Sequence, residues 1–396
     1  MSRIRRKKKR GDSRIRRFLG WFRRGTQGTA TQRNRVKLFP NGGDFFPALF
    51  EAVAEAQRSI CLEFYIIRDD VIGRELALHL ENAVQRGVKV SLLYDYIGCF
   101  DTPSAYFRRL EQAGAACRSF NPPPFRRGLA WFDKRNHRKI AVVDGSTAFA
   151  GGLNIGVEYA GYGENQEQWR DVGVRMHGPA ALELQRLFNE SWQGETGSPP
   201  AACSELSHRL KGNGDATVHI VSGGPHHNRS YIRNAFRLAI AGAVRRIVIA
   251  TPYFIPGPRI IRSLLRAVRK GVQVQLLLPA VSDVPLVRLV SRGTYAQLLK
   301  GGIEIYEREG TILHAKVMHI DGGWTVLGSA NIDQRSFHRN YEVNVIVGSR
   351  TFGRQVDRML ADDLGRSRPI TLDAHEQRGW IIRLLERLVS PISWFL

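Results

Sequence analysis

Acidic residues are scarce in this chain, and so are cysteines and long uncharged runs. Thirty-six Asp and Glu stand against 59 Lys and Arg in 396 residues, a formal net charge of +23. That imbalance points to a polyanionic partner, either nucleic acid or an anionic lipid surface. No stretch free of Lys, Arg, Asp and Glu exceeds thirteen residues, which excludes a transmembrane helix of ordinary length. The N-terminus is charged but lacks an apolar core and a small-residue cleavage site, so it does not read as a secretory signal. Cys61, Cys99, Cys117 and Cys203 form no Cys-x-x-Cys pair and have no histidine at ligand spacing. They read as buried or half-buried free thiols in a reducing compartment. Adjacent His226 and His227 cannot turn both rings to one ion in a regular element, so no metal site is expected.

What is present is a globular composition, 43% hydrophobic and 24% charged, in a chain long enough for two domains. Residues 1–24 hold twelve Lys or Arg against Asp12, about half of the excess charge. Within them Ile15, Phe18, Leu19 and Phe22 follow helical i, i+3, i+4, i+7 spacing with arginines opposite. A basic amphipathic helix with aromatic anchors reads as membrane-surface binding, and a disordered basic arm is the plainer alternative. The C-terminal stretch Trp380-Ile-Ile-Arg-Leu-Leu-Glu-Arg-Leu388 is amphipathic too. It reads equally as a helix packed on the body or as a second interfacial anchor.

The dominant feature is a repeat. His137-Arg-Lys139-Ile-Ala-Val-Val-Asp144 recurs as His314-Ala-Lys316-Val-Met-His-Ile-Asp321. Each copy continues at the same step to a glycine and an asparagine, Gly151 and Asn154, then Gly328 and Asn331. A lone His-x-Lys in a basic protein is an exposed charge pair. Two copies in one register, each followed by an apolar strand and a glycine turn, are not explained by composition.

The surrounding pattern repeats as well, with Tyr65 matching Tyr253 and Gly87 matching Gly271. Strands and helices alternate in each half, which argues for a mostly parallel sheet covered by helices. A single helix is expected over residues 286–300. The implied organisation is a tail and linker over 1–35, a first domain over 36–193 and a linker over 194–216. A second domain over 217–366 and an amphipathic tail over 367–396 complete it.

A duplicated fold with one strip of reactive residues per half suggests that the strips meet across a pseudo-twofold axis. Strand alternation puts His and Lys, two residues apart, on one face, so both should enter one cavity. The candidate catalytic set is His137, Lys139, Asp144, His314, Lys316 and Asp321. Within it Asp144 and Asp321 lie an odd number of residues from their histidines, and they are expected to hold the following turn rather than to act directly. Imidazole is nucleophilic and titrates near neutrality. Lysines and the amides of Asn154 and Asn331 supply donors where charge grows on phosphorus-bound oxygens. That inventory suits two-step substitution at a phosphodiester. Each imidazole also needs an acid on its other nitrogen, and Asp171 and Glu342 are the candidates.

These motifs resemble those of the phospholipase D superfamily over roughly residues 37–366. Gly151-Gly-Leu-Asn154, Trp169-Arg-Asp171, Thr251-Pro-Tyr253-Phe254 and Leu313-His-Ala-Lys316 are similar to bacterial cardiolipin synthases, in a short form without N-terminal transmembrane helices. The resemblance implies an α/β fold: two tandem, pseudo-twofold-related α-β-α sandwiches with one active site at their interface. It implies a metal-free, cofactor-free transfer that joins two phosphatidylglycerol molecules, with His137 as nucleophile and His314 as acid and base. It also implies peripheral attachment to the cytoplasmic side of a bacterial inner membrane. Gly152 stands where the second half has Ser329, so the two half-sites differ in hydrogen bonding. A phosphodiesterase or nuclease of the same superfamily is the alternative, although no aromatic-and-basic strip suited to stacking bases is evident. A non-catalytic membrane-remodelling protein is a third reading, opposed by two intact motifs.

Overall fold

The computed structural model describes residues 30–123, 132–201, 212–225 and 230–389. The amphipathic stretch expected near residues 11–24 lies outside them, as does Cys203.

In the first half the strands are β1 (Thr31–Phe39), β2 (Ser59–Phe64), β3 (Lys89–Asp95), β4 (Ala116–Phe120), β5 (Ile140–Val143), β6 (Thr147–Gly151) and β7 (Gly173–His177). Its helices are α1 (Gly42–Ala54), α2 (Val71–Gln85), α3 (Ser104–Ala113) and α4 (Pro179–Thr196). The second half repeats the scheme with β8 (Ala216–Gly223), β9 (Arg246–Ala250), β10 (Gln273–Pro279), β11 (Glu304–Arg308), β12 (Val317–Ile320), β13 (Trp324–Gly328), β14 (Glu342–Gly348) and β15 (Ser367–Ile370). Its helices are α5 (Tyr231–Gly242), α6 (Pro258–Arg269), α7 (Pro285–Arg292), α8 (Tyr295–Lys300), α9 (Gln334–His338), α10 (Arg350–Gly365), α11 (Leu372–Glu376) and α12 (Trp380–Val389).

All fifteen strands join one sheet, in the order β15-β11-β10-β9-β12-β13-β14-β8-β1-β7-β6-β5-β2-β3-β4. Read outward from the β8–β1 junction, each half gives the same sequence of roles, which is the pseudo-twofold expected from the repeat. The expectation of a mostly parallel sheet fails. Only β2–β3, β3–β4, β9–β10 and β10–β11 are parallel, and every other pairing is antiparallel. The motif strands cause this: β5–β6 and β12–β13 are hairpins, and short turns force antiparallel pairing.

Alternation along each strand feeds two layers. Ile140 and Val142 join a core shared by both halves under α4 and α10, with Phe188, Trp192, Phe352 and Val356. Ala141 and Val143 face the separate first-half core under α1 and α2, with Phe46, Leu49 and Leu80. In the second half Met318 and Ile320 face the matching core of Phe236, Leu264 and Leu298.

The expected helix over 286–300 is broken at Gly293-Thr294 into α7 and α8. The break turns Tyr295 into the core, where its hydroxyl reaches Glu307 at 3.3 Å. Cys99 and Cys117 are buried free thiols. Cys61 is disulfide-bonded, so the reading of the cysteines as uniformly free thiols is corrected there. On α12, Trp380, Ile381, Leu384, Leu385 and Leu388 are all exposed, while Val389 packs beside Val287 and Val290 of α7. Among the described residues no helix is long and apolar enough to cross a membrane.

Asp144 and Asp321 end their motif strands in the left-handed region, at φ 52° and 53°. The Asp144 carboxylate accepts from the N–H groups of Gln57, Arg58 and Ser59 at 2.8–3.0 Å. Asp321 does the same for Val244, Arg245 and Arg246 at 2.8–3.0 Å. Each therefore ties its hairpin turn to the start of β2 or β9, and neither lines the histidine cavity. Replacing Asp144 by Ala should lower the unfolding free energy by about 1–3 kcal/mol, because three backbone donors lose their acceptor. Denaturation of D144A, with turnover measured per folded molecule, checks this. A loss of turnover at full stability would return Asp144 to the chemistry.

Candidate active site

The segments carrying the two histidines are held by the opposite half. The His137 N–H donates to the Tyr341 carbonyl at 2.9 Å, and the Tyr341 N–H donates to the Arg135 carbonyl at 2.9 Å. Symmetrically, the N–H groups of His314 and Ala315 donate to the Arg170 carbonyl at 2.8 and 3.0 Å. The Arg170 N–H returns a bond to the Ile312 carbonyl at 2.9 Å. One residue beyond each bridge stands a carboxylate.

The pairing therefore crosses the halves. His137 Nδ1 lies 3.1 Å from both oxygens of Glu342, and His314 Nδ1 lies 2.6 Å from Asp171 Oδ2. A carboxylate on Nδ1 fixes a proton there and leaves Nε2 as the free nitrogen of each ring. Lys316 Nζ also sits 2.7 Å from His314 Nδ1. An ammonium cannot donate to a nitrogen that already carries a proton, so the shorter contact, to Asp171, sets the tautomer. Tyr65 packs edge-on against His137, and Tyr159 and Trp169 against His314, with centroids 5.0–5.6 Å apart.

Both histidines line one cavity of about 300 Å³, together with Asn154 and Asn331. The lysines do not reach it as the strand alternation implied. Lys139 and Lys316 are buried behind the histidines, each donating to its own histidine's carbonyl. The cause is local: the rings occupy the cavity wall, and the two-residue offset brings each ammonium back along the strand. Ser329 donates to Glu342. Its counterpart must be glycine, because a Cβ on Gly152 would lie 2.2 Å from Asp171 Oδ1. Asp171 takes its own Val172 N–H instead, at 2.7 Å.

Other lining residues carry no motif signal: Arg135, Asp283 and Arg335 among them. Of the cavity's tyrosines, the sequence marked Tyr65 and Tyr253 through the repeat, and Tyr253 again in Thr251-Pro-Tyr253-Phe254, but not Tyr159. Among the described residues no group of three His, Cys, Asp or Glu is placed to hold a metal.

The electrostatics are those of a site short of one anion. Burial pushes His137 down to about 4, Lys139 to about 7 and Lys316 to about 8, and lowers His314 as well. Burial would raise the carboxyls of Asp171 and Glu342. The adjoining Lys316 and His314, and His137 and Lys139, nevertheless hold both below their ordinary range. Two carboxylates thus serve two imidazoles and two lysines that burial holds toward neutrality, and an entering phosphate would return protons to the site. Binding of inorganic phosphate or vanadate at pH 8 should take up about one proton, since an anion raises a lysine pKa that lies near that pH. Calorimetry in buffers of different ionisation heat measures the uptake. Proton release would contradict this charge balance.

Comparisons with known proteins point to one family. A family model described as "Cardiolipin synthase, PLD-like domain" matches residues 49–192 and 237–364. The chain is 36% identical over 366 residues to a cardiolipin synthase of Geobacillus sp. (strain WCH70), covering 90% of this chain and 72% of that protein. It is 36% identical over 367 residues to cardiolipin synthase A of Pseudomonas putida (strain W619), covering 91% and 75%. Among solved structures it resembles a phosphatidylserine synthase of Haemophilus influenzae Rd KW20. That match has a TM-score of 0.70 at 13% identity, over 91% of this chain and 95% of the other.

Proposed function

The chain belongs to the cardiolipin synthase family of phospholipase D-like phosphatidyltransferases, and we propose that it joins two phosphatidylglycerol molecules through a phosphohistidine. The observation that carries the proposal is that two histidines from separate halves face one cavity, each backed by the other half's carboxylate.

The donor phosphorus sits between the two free Nε2 atoms. Following the family resemblance, His137 Nε2 attacks phosphorus, and the bond from phosphorus to the glycerol oxygen breaks. His314, which takes up a proton on Nε2 when the phosphate binds, gives it to that oxygen, so glycerol leaves neutral. A hydroxyl of the second phosphatidylglycerol then enters along the same path. His314 takes the hydroxyl proton, the new oxygen–phosphorus bond forms, and the nitrogen–phosphorus bond to His137 breaks. Glu342 stabilises the charge that develops on His137, and Asp171 does so for His314. The amides of Asn154 and Asn331 stabilise the equatorial oxygens, and the buried ammonium groups behind the rings add only a through-space charge.

We also propose that the enzyme works at an anionic bilayer surface. The exposed stripe of α12 supports this: a tryptophan and four large aliphatic side chains face outward in a chain of net charge +23. α12 packs on α7, and α7 contributes Val287 to the cavity wall. A bilayer under α12 would therefore lie beside the entrance that its lipids use.

Purified protein incubated with phosphatidylglycerol vesicles, with all lipid products read by mass spectrometry, tests both parts. Cardiolipin and glycerol should form in equal amounts, and H137A should form neither. Phosphatidic acid alone would make the protein a hydrolase, and no turnover would favour the nuclease alternative. L384E/L388E should lose at least tenfold in vesicle turnover while losing far less with monomeric dihexanoyl phosphatidylglycerol. Equal losses on the two substrates would refute the surface role of α12.

A further inference from the structure

The cavity carries one carboxylate that phosphate chemistry does not call for, while its two arginines are paired, Arg135 with Asp95 at 3.5 Å and Arg335 with Asp133 at 3.7 Å. Beside His137 stand two arginines, Arg135 and Arg335, whose charges act on neighbouring Tyr65. On the other side stands Asp283, whose charge acts on His314, Lys316 and Tyr159. Asp283 lies on the loop between β10 and α7 and is exposed to solvent. Among the described residues it has no Lys, Arg or His partner within 4.0 Å. It accepts instead from neutral groups: the Tyr253 hydroxyl at 2.5 Å and the Ser282 hydroxyl at 3.3 Å.

An uncompensated carboxylate in the wall of an anion-binding cavity repels the substrate's phosphate. It is useful there only toward a part of the substrate that donates hydrogen bonds. Asp171 and Glu342, the carboxylates that serve the histidines, are fully buried behind the rings. Asp333 is buried as well, pushed up to about 7 by that burial, and caps α9 through the Ser336 N–H at 2.6 Å. Asp283 is the cavity carboxylate left with acceptor capacity toward the open space.

The partner geometry narrows the ligand. Because the Tyr253 hydroxyl spends its proton on Asp283, its oxygen is left to accept. Asp283 and Tyr253 thus present two acceptors side by side and no free donor. Two adjacent acceptors match two adjacent hydroxyls.

We propose that Asp283 and Tyr253 form a polyol subsite that holds the vicinal hydroxyls of a glycerol headgroup on the His314 side of the reacting phosphorus. The assignment rests on the proposed reaction, in which His314 protonates the leaving glycerol and later deprotonates the entering one. With the subsite on that side, the leaving glycerol keeps its two remaining hydroxyls on the pair, and the entering lipid keeps there the one hydroxyl that does not attack, both within reach of one acid–base group. A headgroup without a second hydroxyl gains nothing from the pair. Asp283 is here a specificity-determining residue, acting on the alcohol rather than on phosphorus.

The test uses the full chain with phosphatidyl-p-nitrophenol as donor, whose leaving group carries no second hydroxyl, and equal concentrations of glycerol, ethanol and ethanolamine as competing acceptors. Wild type should make phosphatidylglycerol in preference to phosphatidylethanol. D283A and Y253F should lower that product ratio at least tenfold, and D283N should fall between, since its amide keeps one acceptor. An unchanged ratio in D283A overturns the subsite, even where total turnover falls, because a merely structural role slows both acceptors alike. A wild type without glycerol preference overturns it too, as does a variant that loses transfer to ethanolamine rather than to glycerol, which would mark an ammonium site. If the glycerol preference holds but phosphatidylglycerol yields no cardiolipin, the overall reaction assigned above falls and the subsite stands.

Discussion

The bond from each imidazole to the other half's carboxylate is the constraint on which this structure depends. His137 takes its carboxylate from Glu342, 205 residues later, and His314 from Asp171, 143 residues earlier. Neither half supplies both members of a histidine–carboxylate pair. The rest of the junction serves to hold these two distances. β8 pairs with β1 to make one sheet of two halves, and α4 and α10 share a core beneath it. Two buried arginines brace the crossing strands. Arg138 donates to Ser191 at 2.7 Å and to the Glu342 and Gly223 carbonyls at 3.4 and 3.3 Å, and Arg170 grips Asp363 at 2.7 and 2.9 Å.

That arrangement stores an electrostatic cost at the centre of the molecule. Buried lysines and imidazoles are pushed toward neutrality because charge is expensive away from water. An anionic phosphodiester repairs the deficit, so the empty site is organised around what it lacks. In the proposed mechanism the same logic supplies the acid. His314, neutral in the empty cavity, gains affinity for a proton when a negative phosphate arrives beside it. The site and its ligand are complementary in charge before any contact is optimised.

Much of this was legible in the sequence because it is carried by local pattern. The twin His-x-Lys motifs, their strands and the candidate carboxylates depend on spacing alone, and they led to the site. What escaped notice depends on tertiary pairing. β1 begins at Thr31 in a polar stretch that reads as linker. Its strand character comes from pairing with β8, and Asn34 binds the Ala180 N–H at 2.9 Å. The crossing of the histidine partners was invisible as well, because a repeat shows equivalence between positions without showing who pairs with whom. Asp283 sits on a loop with no motif, and only the folded cavity shows it facing His314. The lysines were misplaced by one layer, since alternation gives the face of a strand but not how far a long side chain bends back along it.

The crossed pairing is tested most directly by comparing Glu342→Gln with Asp171→Asn in the first half-reaction, using phosphatidyl-p-nitrophenol, whose leaving group needs no acid. D171N, which disables only the acid–base histidine, should keep a rapid burst of p-nitrophenol, one per active site. E342Q, which disables the nucleophile's support, should lose at least a hundredfold in burst rate. If instead E342Q kept the burst and D171N lost it, each carboxylate would be serving the histidine of its own half, and the account of a mutually completed site would be wrong.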